Sequence, residues 1–258
     1  MPEGDTVWYA ARRLGLALEG RALTRSDFRV PRYATTDLTG RQVTESSSRG
    51  KHLLTRVEGG VTVHTHLKMD GSWRVRPAGE RPAGGHRIRL VLGNDTWQAV
   101  GYQLGIVEVL PTEREDETVG HLGPDLLGPD WDPEEAVRRL KATPERPIGD
   151  ALLDQRNLAG IGNVYQSEVL FLRGIQPWRP AGQVEDLGKL ADLAHRLLDA
   201  NKNRIGHITT GQAQRGAEHW VYGRGGRQCR RCGTAIKRAD QGPDPEARVT
   251  FWCPTCQR

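Results

Sequence analysis

Pro2 and Glu3 follow the initiator methionine, so removing Met1 would expose a secondary amine one residue from a carboxylate. Such an amine can attack an electrophilic sugar carbon, and the resulting iminium keeps its positive charge without losing a proton. That is nucleophilic amine catalysis of the Schiff-base type. Chain termini usually fray, so the pair has a role only if other elements hold it. A second group lies at the opposite end, where all four cysteines fall as Cys229-x-x-Cys232, twenty residues, then Cys253-x-x-Cys256. Two knuckles of this spacing can close four thiolates around one Zn2+. No ligand position stays open, so the ion would be structural.

The elements that must position these groups are legible in outline. Val7, Ala10, Ala11, Leu14 and Leu18 recur at helical spacing, which predicts a helix over 6–18 with Asp5 or Thr6 as its N-cap. Pro2 and Glu3 would then precede a helix N-terminus, whose dipole disfavours a protonated amine and leaves more of it nucleophilic. From 20 to 110 the pattern becomes short strands, at 41–46, 53–58, 61–67, 73–76, 87–92, 96–100 and 106–110. Gly59-Gly60 and Gly93-Asn94-Asp95 read as hairpin turns. Two turns here carry unusual residues, Arg49-Gly50-Lys51-His52 with a cation at a strand edge and Lys68-Met69-Asp70-Gly71 with a methionine.

The stretch 111–133 is acidic and rich in Pro and Gly, as an interdomain connector would be. Helical periodicity follows. Asp132-Pro133-Glu134-Glu135 opens one helix, Pro147 a second, and the glycine-punctuated turn from Gln155 to Asn163 leads into a third. A fourth is expected over 186–201. The fold class is therefore α+β with two lobes. An N-terminal β-sandwich with a flanking helix covers 1–112, a linker 113–131, a helical domain 132–221 and a zinc finger 222–258.

At 258 residues the chain is long enough for two domains, and a mean hydropathy of −0.61 describes a polar globular protein. No apolar run reaches the ~18 residues of a membrane span, and no basic head with an apolar stretch marks a signal peptide. A cytoplasmic, monomeric protein without membrane partners is expected. The formal charge of +5 permits nucleic-acid binding. Its distribution is uneven. Residues 112–135 hold nine acids against one base, and 222–258 eight bases against three acids.

Six motifs in order carry a family likeness: Pro2-Glu3-Gly4, Arg49-Gly50-Lys51, His66-Leu67-Lys68-Met69-Asp70-Gly71-Ser72, Ala159-Gly160-Ile161-Gly162-Asn163-Val164-Tyr165, Val221-Tyr222-Gly223-Arg224 and the cysteine finger. Over its whole length the chain resembles the formamidopyrimidine-DNA glycosylase/endonuclease VIII family of bacterial base-excision repair enzymes, most of all an actinobacterial endonuclease VIII. The resemblance implies a bifunctional DNA glycosylase and abasic-site lyase, acting on damaged DNA that is duplex or partly single-stranded. It implies Pro2 as the nucleophile on C1′, Glu3 as a proton donor, and Lys51 and Arg248 in the β- and δ-elimination steps. It further implies a helix–two-turns–helix with Gly162 and Asn163 at phosphate, Lys68 at the DNA, and Met69 filling the gap left by an everted base. Chemistry at C1′ requires such eversion.

The sequence departs from the family pattern in three places. Asp5-Thr6 stands where Pro-Glu is usual. Two further wedge residues have no match, which leaves Tyr102 or Leu104 as weaker candidates. Only ten residues separate Thr210 from Val221, short for a loop that covers 8-oxoguanine, which points to oxidised pyrimidines. A zinc-finger transcription factor would leave Pro2-Glu3 and the β domain unexplained; a binding-only relative is the stronger alternative. His64 and His66 face one way on a strand and could ligate a metal, but no third ligand is near in sequence, so hydrogen-bonded positions are expected.

Overall fold

A computed structural model describes residues 2–243 and 247–258, in two compact units, Met1–His121 and Leu122–Arg258. The first opens with α1 (Gly4–Leu18), which buries Val7, Ala11, Leu14 and Leu18 as the periodicity requires. Its start differs from expectation. Glu3 is the N-cap residue, while Asp5 lies inside the first turn and accepts the Thr6 N–H at 2.7 Å. The helix can begin early because an acid within the first turn already complements the dipole.

Eight strands follow: β1 (Arg25–Phe28), β2 (Val43–Arg49), β3 (His52–Val57), β4 (Val61–His66), β5 (Ser72–Pro77), β6 (Ile88–Gly93), β7 (Trp97–Tyr102) and β8 (Ile106–Pro111). They form two antiparallel sheets, in the orders β1-β6-β7-β5 and β2-β3-β4-β8. The core gathers Leu53, Val57 and Val63 from one sheet, Leu90, Leu92 and Ala99 from the other, and Leu14 and Leu18 from α1. β1 has no alternating pattern of its own; pairing with β6 makes it a strand.

Period-2 alternation gathers His52, Arg56, Thr62, His64 and His66 on the opposite face of β3 and β4, around the buried Leu54. The acidic segment docks here. Glu115, just ahead of α2 (Asp116–Val119), accepts from Arg56 Nη2 and Nε at 2.6 and 2.9 Å and from Thr62 Oγ1 at 2.5 Å. Burial opposes its charge, yet these bonds hold its pKa below the usual range. The stretch 113–131 is thus built onto structure on both sides of the His121–Leu122 join. Beyond it, His195 Nδ1 lies 2.7 Å from the Leu126 carbonyl and stacks on Trp131.

The second unit contains α3 (Pro133–Lys141), α4 (Ile148–Leu153), α5 (Asn163–Arg173) and α6 (Leu187–Asn201). Asp132 caps α3 by accepting from the Glu134 and Glu135 amides, and Asp186 caps α6 through the Lys189 amide. Leu140, Ile148, Leu152, Tyr165, Val169 and Leu190 meet in its core. The finger follows, with the antiparallel pair β9 (Lys237–Gln241) and β10 (Arg248–Trp252). Among the described residues, no helix is long and apolar enough to cross a membrane.

Candidate functional site

In the first unit, Glu3 is 0% exposed and Pro2 half-buried, so this terminus is held by the fold. Met1, which must be absent for Pro2 to be an amine, lies outside the described residues. At its far end α1 is fixed to β2: Glu19 bridges Val43, and its carboxylate accepts the Ser46 N–H at 2.6 Å. The helix packs along β2 and β3. A helix of 15 residues and a strand of 7 are each roughly 22–23 Å long. β2 therefore runs from the Glu19 contact to its other end over a length that matches the helix. That end is the two-residue Gly50-Lys51 turn, where Arg49 pairs with His52 and Gly50 has a φ of +57°.

Lys51 and Lys68 come together around His66. Burial, then the charges of Lys68, Lys51 and His64, push the His66 pKa down to about 4. His66 is neutral at physiological pH, and its Nδ1 accepts the Lys68 backbone N–H at 2.9 Å. The proton must then sit on Nε2, which makes that nitrogen a donor.

The Met69 turn is a corner where the chain crosses between sheets, from β4 to β5; the β7–β8 connection crosses beside it. Gly105 N–H bonds the His66 carbonyl at 2.9 Å, and a Cβ on Gly105 would strike the Lys68 stem at 2.2 Å. A Cβ on Gly71 would strike the Leu67 carbonyl, which accepts the Gly71 N–H at 2.9 Å and closes the turn. Met69 is thereby thrust outward, 62% exposed. Lys68 and Gln103 are the two non-glycine residues with positive φ among the described residues, at +52° and +47°. Such strain persists only where the surrounding structure enforces it. Tyr102 and Leu104 prove to be buried in the unit, and the wedge expectation for them is wrong. In the β7–β8 connection the exposed side chain is Gln103. Apolar character pointed to its neighbours, but apolar residues at a sheet corner are drawn into the core.

In the second unit, the turn before α5 is clasped by Gln155, whose amide donates to the Leu153 and Ile161 carbonyls and whose Oε1 accepts the Gly160 N–H. Gly160 has a φ of +102°, and Gly162 is the N-cap of α5. Asn163 is 6% exposed, and its Nδ2 donates to the Val249 carbonyl at 2.7 Å. The turn is thus tied to β10 beside the exposed Arg248, which places Asn163, Gly162 and Arg248 together.

Glu168 is a functional residue that sequence reasoning does not single out. Buried in α5, its carboxylate accepts the N–H groups of Trp220, Val221 and Tyr222, each at 2.8 Å, and the Thr209 hydroxyl. It pins the Val-Tyr-Gly-Arg segment to the helix. Thr209 and Thr210 also pair with the Glu218 carbonyl, so only a short exposed loop projects between them. An acid one residue ahead of the apolar Val169-Leu170-Phe171 of α5 was the available signal.

The four cysteine sulfurs lie within 4.8 Å of one another, with Cys232–Cys253 at 3.4 Å and Cys229–Cys256 at 4.0 Å. A tetrahedral ion with metal–sulfur bonds of about 2.3 Å has sulfur–sulfur edges of about 3.8 Å. The donor set and its size fit one metal ion of that type.

Two family models match the chain: the formamidopyrimidine-DNA glycosylase N-terminal domain over residues 1–101 and the formamidopyrimidine-DNA glycosylase H2TH domain over 122–206. The chain is 60% identical to the "Probable endonuclease 8 2" of Streptomyces coelicolor, over 100% of this chain and 94% of the relative. It is 50% identical to the "DNA-(apurinic or apyrimidinic site) lyase Nei2" of Mycolicibacterium smegmatis, over 100% and 99%. Among solved structures, the Lactococcus lactis Fpg (MutM) in complex with an oxidised pyrimidine containing DNA superposes with a TM-score of 0.84 at 26% identity, over all of both chains.

Proposed function

Because this chain belongs to the formamidopyrimidine-DNA glycosylase family, we propose that it works as a DNA glycosylase and abasic-site lyase of base excision repair, with Pro2 as its nucleophile. The observation that carries the assignment is a proline next in line to a buried glutamate, at the start of a helix that packs along β2, the strand leading into the Lys51 turn. As the damaged base leaves, the Pro2 nitrogen bonds C1′ and an iminium forms. Glu3, shielded from water, donates the proton that opens the sugar ring. Loss of a C2′ proton then breaks the C3′–O bond and nicks the strand. Lys51 and Lys68 neutralise the flanking phosphates, with the His66 Nε2–H as a neutral donor between them.

In the second unit, the amides at the start of α5 face phosphate with no side chain at Gly162 to obstruct them. Asn163 gives one amide hydrogen to the finger and offers the other to DNA, and Arg248 adds a charge for the δ-elimination step. The thiolates hold one structural Zn2+. The protein acts as a monomer in the bacterial cytoplasm.

The short loop after Thr210 supports oxidised pyrimidines as the preferred lesions. A panel of duplexes with thymine glycol, dihydrouracil, 5-hydroxyuracil, 8-oxoguanine or an abasic site tests both statements. Nicking of the pyrimidine lesions and the abasic site is expected; activity confined to 8-oxoguanine would overturn the preference, and binding without any nicking the enzyme assignment.

Met69 fills the space left by the everted nucleotide. Met69→Ala should slow excision of a damaged base by about tenfold and spare cutting at a preformed abasic site, where less stacking must be broken. Gln103→Ala should change excision mainly according to the base opposite the lesion. Tyr102→Ala should instead cost about 3–5 kcal/mol of stability, as for other buried aromatic side chains. Equal loss on base lesions and abasic sites for Met69→Ala would refute the wedge role.

A further inference from the structure

The polar face of β3, β4 and β8 holds a chain of groups that the chemistry above does not use. Strand register places His52 opposite His66, and His64 opposite Glu108. His64 Nδ1 lies 2.9 Å from Glu108 Oε2, and His64 Nε2 lies 2.9 Å from His52 Nδ1. The His52 and His64 rings are 17° from parallel, so an N–H on one can point along a lone pair of the other. His66 and His121 meet the His52 ring edge-on, at 5.0 and 6.4 Å between centroids.

Hydrogen-bond polarity along this chain has one solution if the rings are neutral. The carboxylate of Glu108 can only accept, so His64 carries its proton on Nδ1. Its Nε2 is then a bare acceptor, and His52 must donate from Nδ1, which leaves His52 Nε2 bare. His66 is the reverse, because its Nδ1 is occupied by the Lys68 N–H. For His52 and His66 neutrality follows from the surroundings: a proton on either ring would add a largely buried cation beside Lys68 and the other imidazoles. Burial first, then His66, His64, His121 and Lys68, push His52 down to about 3. Nearby Arg56 is already matched by Glu115 and Glu45.

We propose that Glu108, His64 and His52 form a one-directional hydrogen-bonded chain that positions the Lys51 corner, by locking the ring of the residue next to Lys51. His64 is 1% exposed, while the Glu108 side chain is 40% exposed, so the chain runs from solvent to the strand end that carries the catalytic turn. These are positioning residues, acting through Lys51 and His66 on the DNA strand. The proposal rests on the reading that Lys51 works at the lesion.

The experiment has two parts. Long-range 15N NMR of the free protein at neutral pH should show His64 and His52 as Nδ1–H tautomers and His66 as Nε2–H. Glu108→Leu, a change at a partly exposed position, should return His52 toward Nε2–H without altering any atom of it. In single-turnover assays Glu108→Leu should slow abasic-site cutting by about tenfold, with affinity for an uncleavable abasic analogue held within about twofold. His64→Gln can donate to Glu108 and accept from His52, and should stay within about threefold of wild type, whereas His64→Leu should match Glu108→Leu.

An Nε2–H or doubly protonated His64 in the wild type would overturn the chain. Undiminished cutting by Glu108→Leu would overturn its positioning role. His64→Gln as slow as His64→Leu would overturn positioning in favour of proton transfer. Failure of the lyase reading registers separately, as abasic DNA left uncut by the wild type.

Discussion

Protein that retains Met1 is expected to bind abasic DNA and leave it uncut. With Met1 in place the Pro2 nitrogen is a tertiary amide, its lone pair delocalised into the carbonyl, and it cannot attack C1′. Borohydride, which reduces an iminium to a stable amine, should therefore trap a covalent complex only with processed protein. Strand cutting should fall by a factor on the order of 10³ or more, as for other enzymes stripped of their nucleophile. Affinity for an uncleavable abasic analogue should change little, because the residues proposed to hold phosphate, Lys51, Lys68, Asn163 and Arg248, are untouched. Trapping at the wild-type level by Met1-retaining protein would sink the assignment and make a lysine, with Lys51 the first to test, the nucleophile. Glu3→Gln separates the two half-reactions: it removes the ring-opening proton, so base excision should suffer more than cutting at a site already abasic.

Removing the metal should abolish tight DNA binding while leaving the β-sandwich folded. The finger's own core is small: Cys229, Ile236 and Cys253, packed with Val221 onto Phe171 of α5. So small a core does not hold the segment 222–258 folded by itself, and small domains of this kind depend on a bound metal for their fold. Without it, β10 loses its register and Arg248 its place, and the Asn163–Val249 bond goes with them. We expect one zinc per chain by elemental analysis. After chelation, or in Cys253→Ser, affinity should drop at least about tenfold, and the slope of log K against log salt should shrink by about 0.9 for each phosphate that is no longer neutralised. Full affinity in a metal-free preparation would refute this account.

The contrast between Glu3 and Glu168 shows what one dimension conveys. Glu3 is conspicuous because it adjoins a terminal proline, and its chemistry needs only that adjacency. Glu168 carries no such cue; its purpose is three backbone amides more than fifty residues away, Trp220 to Tyr222, which face it only after α5 packs. The histidines repeat the lesson. Along the chain, His64 and His66 lack a third polar partner, because His52 and Glu108 become adjacent only across strand pairs and His121 only where the segment after α2 returns to the His52 ring. The strand that carries His64 and His66 is legible, since β4 alternates apolar and polar residues. β1 is not, because its three polar residues become a strand only by bonding to β6.

By itself, the sequence determined which reactive groups exist and roughly what holds them: an amine next to a carboxylate, four thiolates at knuckle spacing, a glycine-rich turn before a helix, and an apolar side chain in a strand connection. These are local properties, set by covalent adjacency, periodicity and the conformational freedom of glycine. Tertiary structure decided which of the corner residues faces outward, so that Gln103 is exposed while Tyr102 and Leu104 are buried. It decided that Asn163 joins the turn to the finger, and that His52, His64 and Glu108 fall into one hydrogen-bonded row. Such outcomes depend on competition for burial and on the direction of hydrogen bonds between distant segments. Neither exists until the sheets and helices have packed.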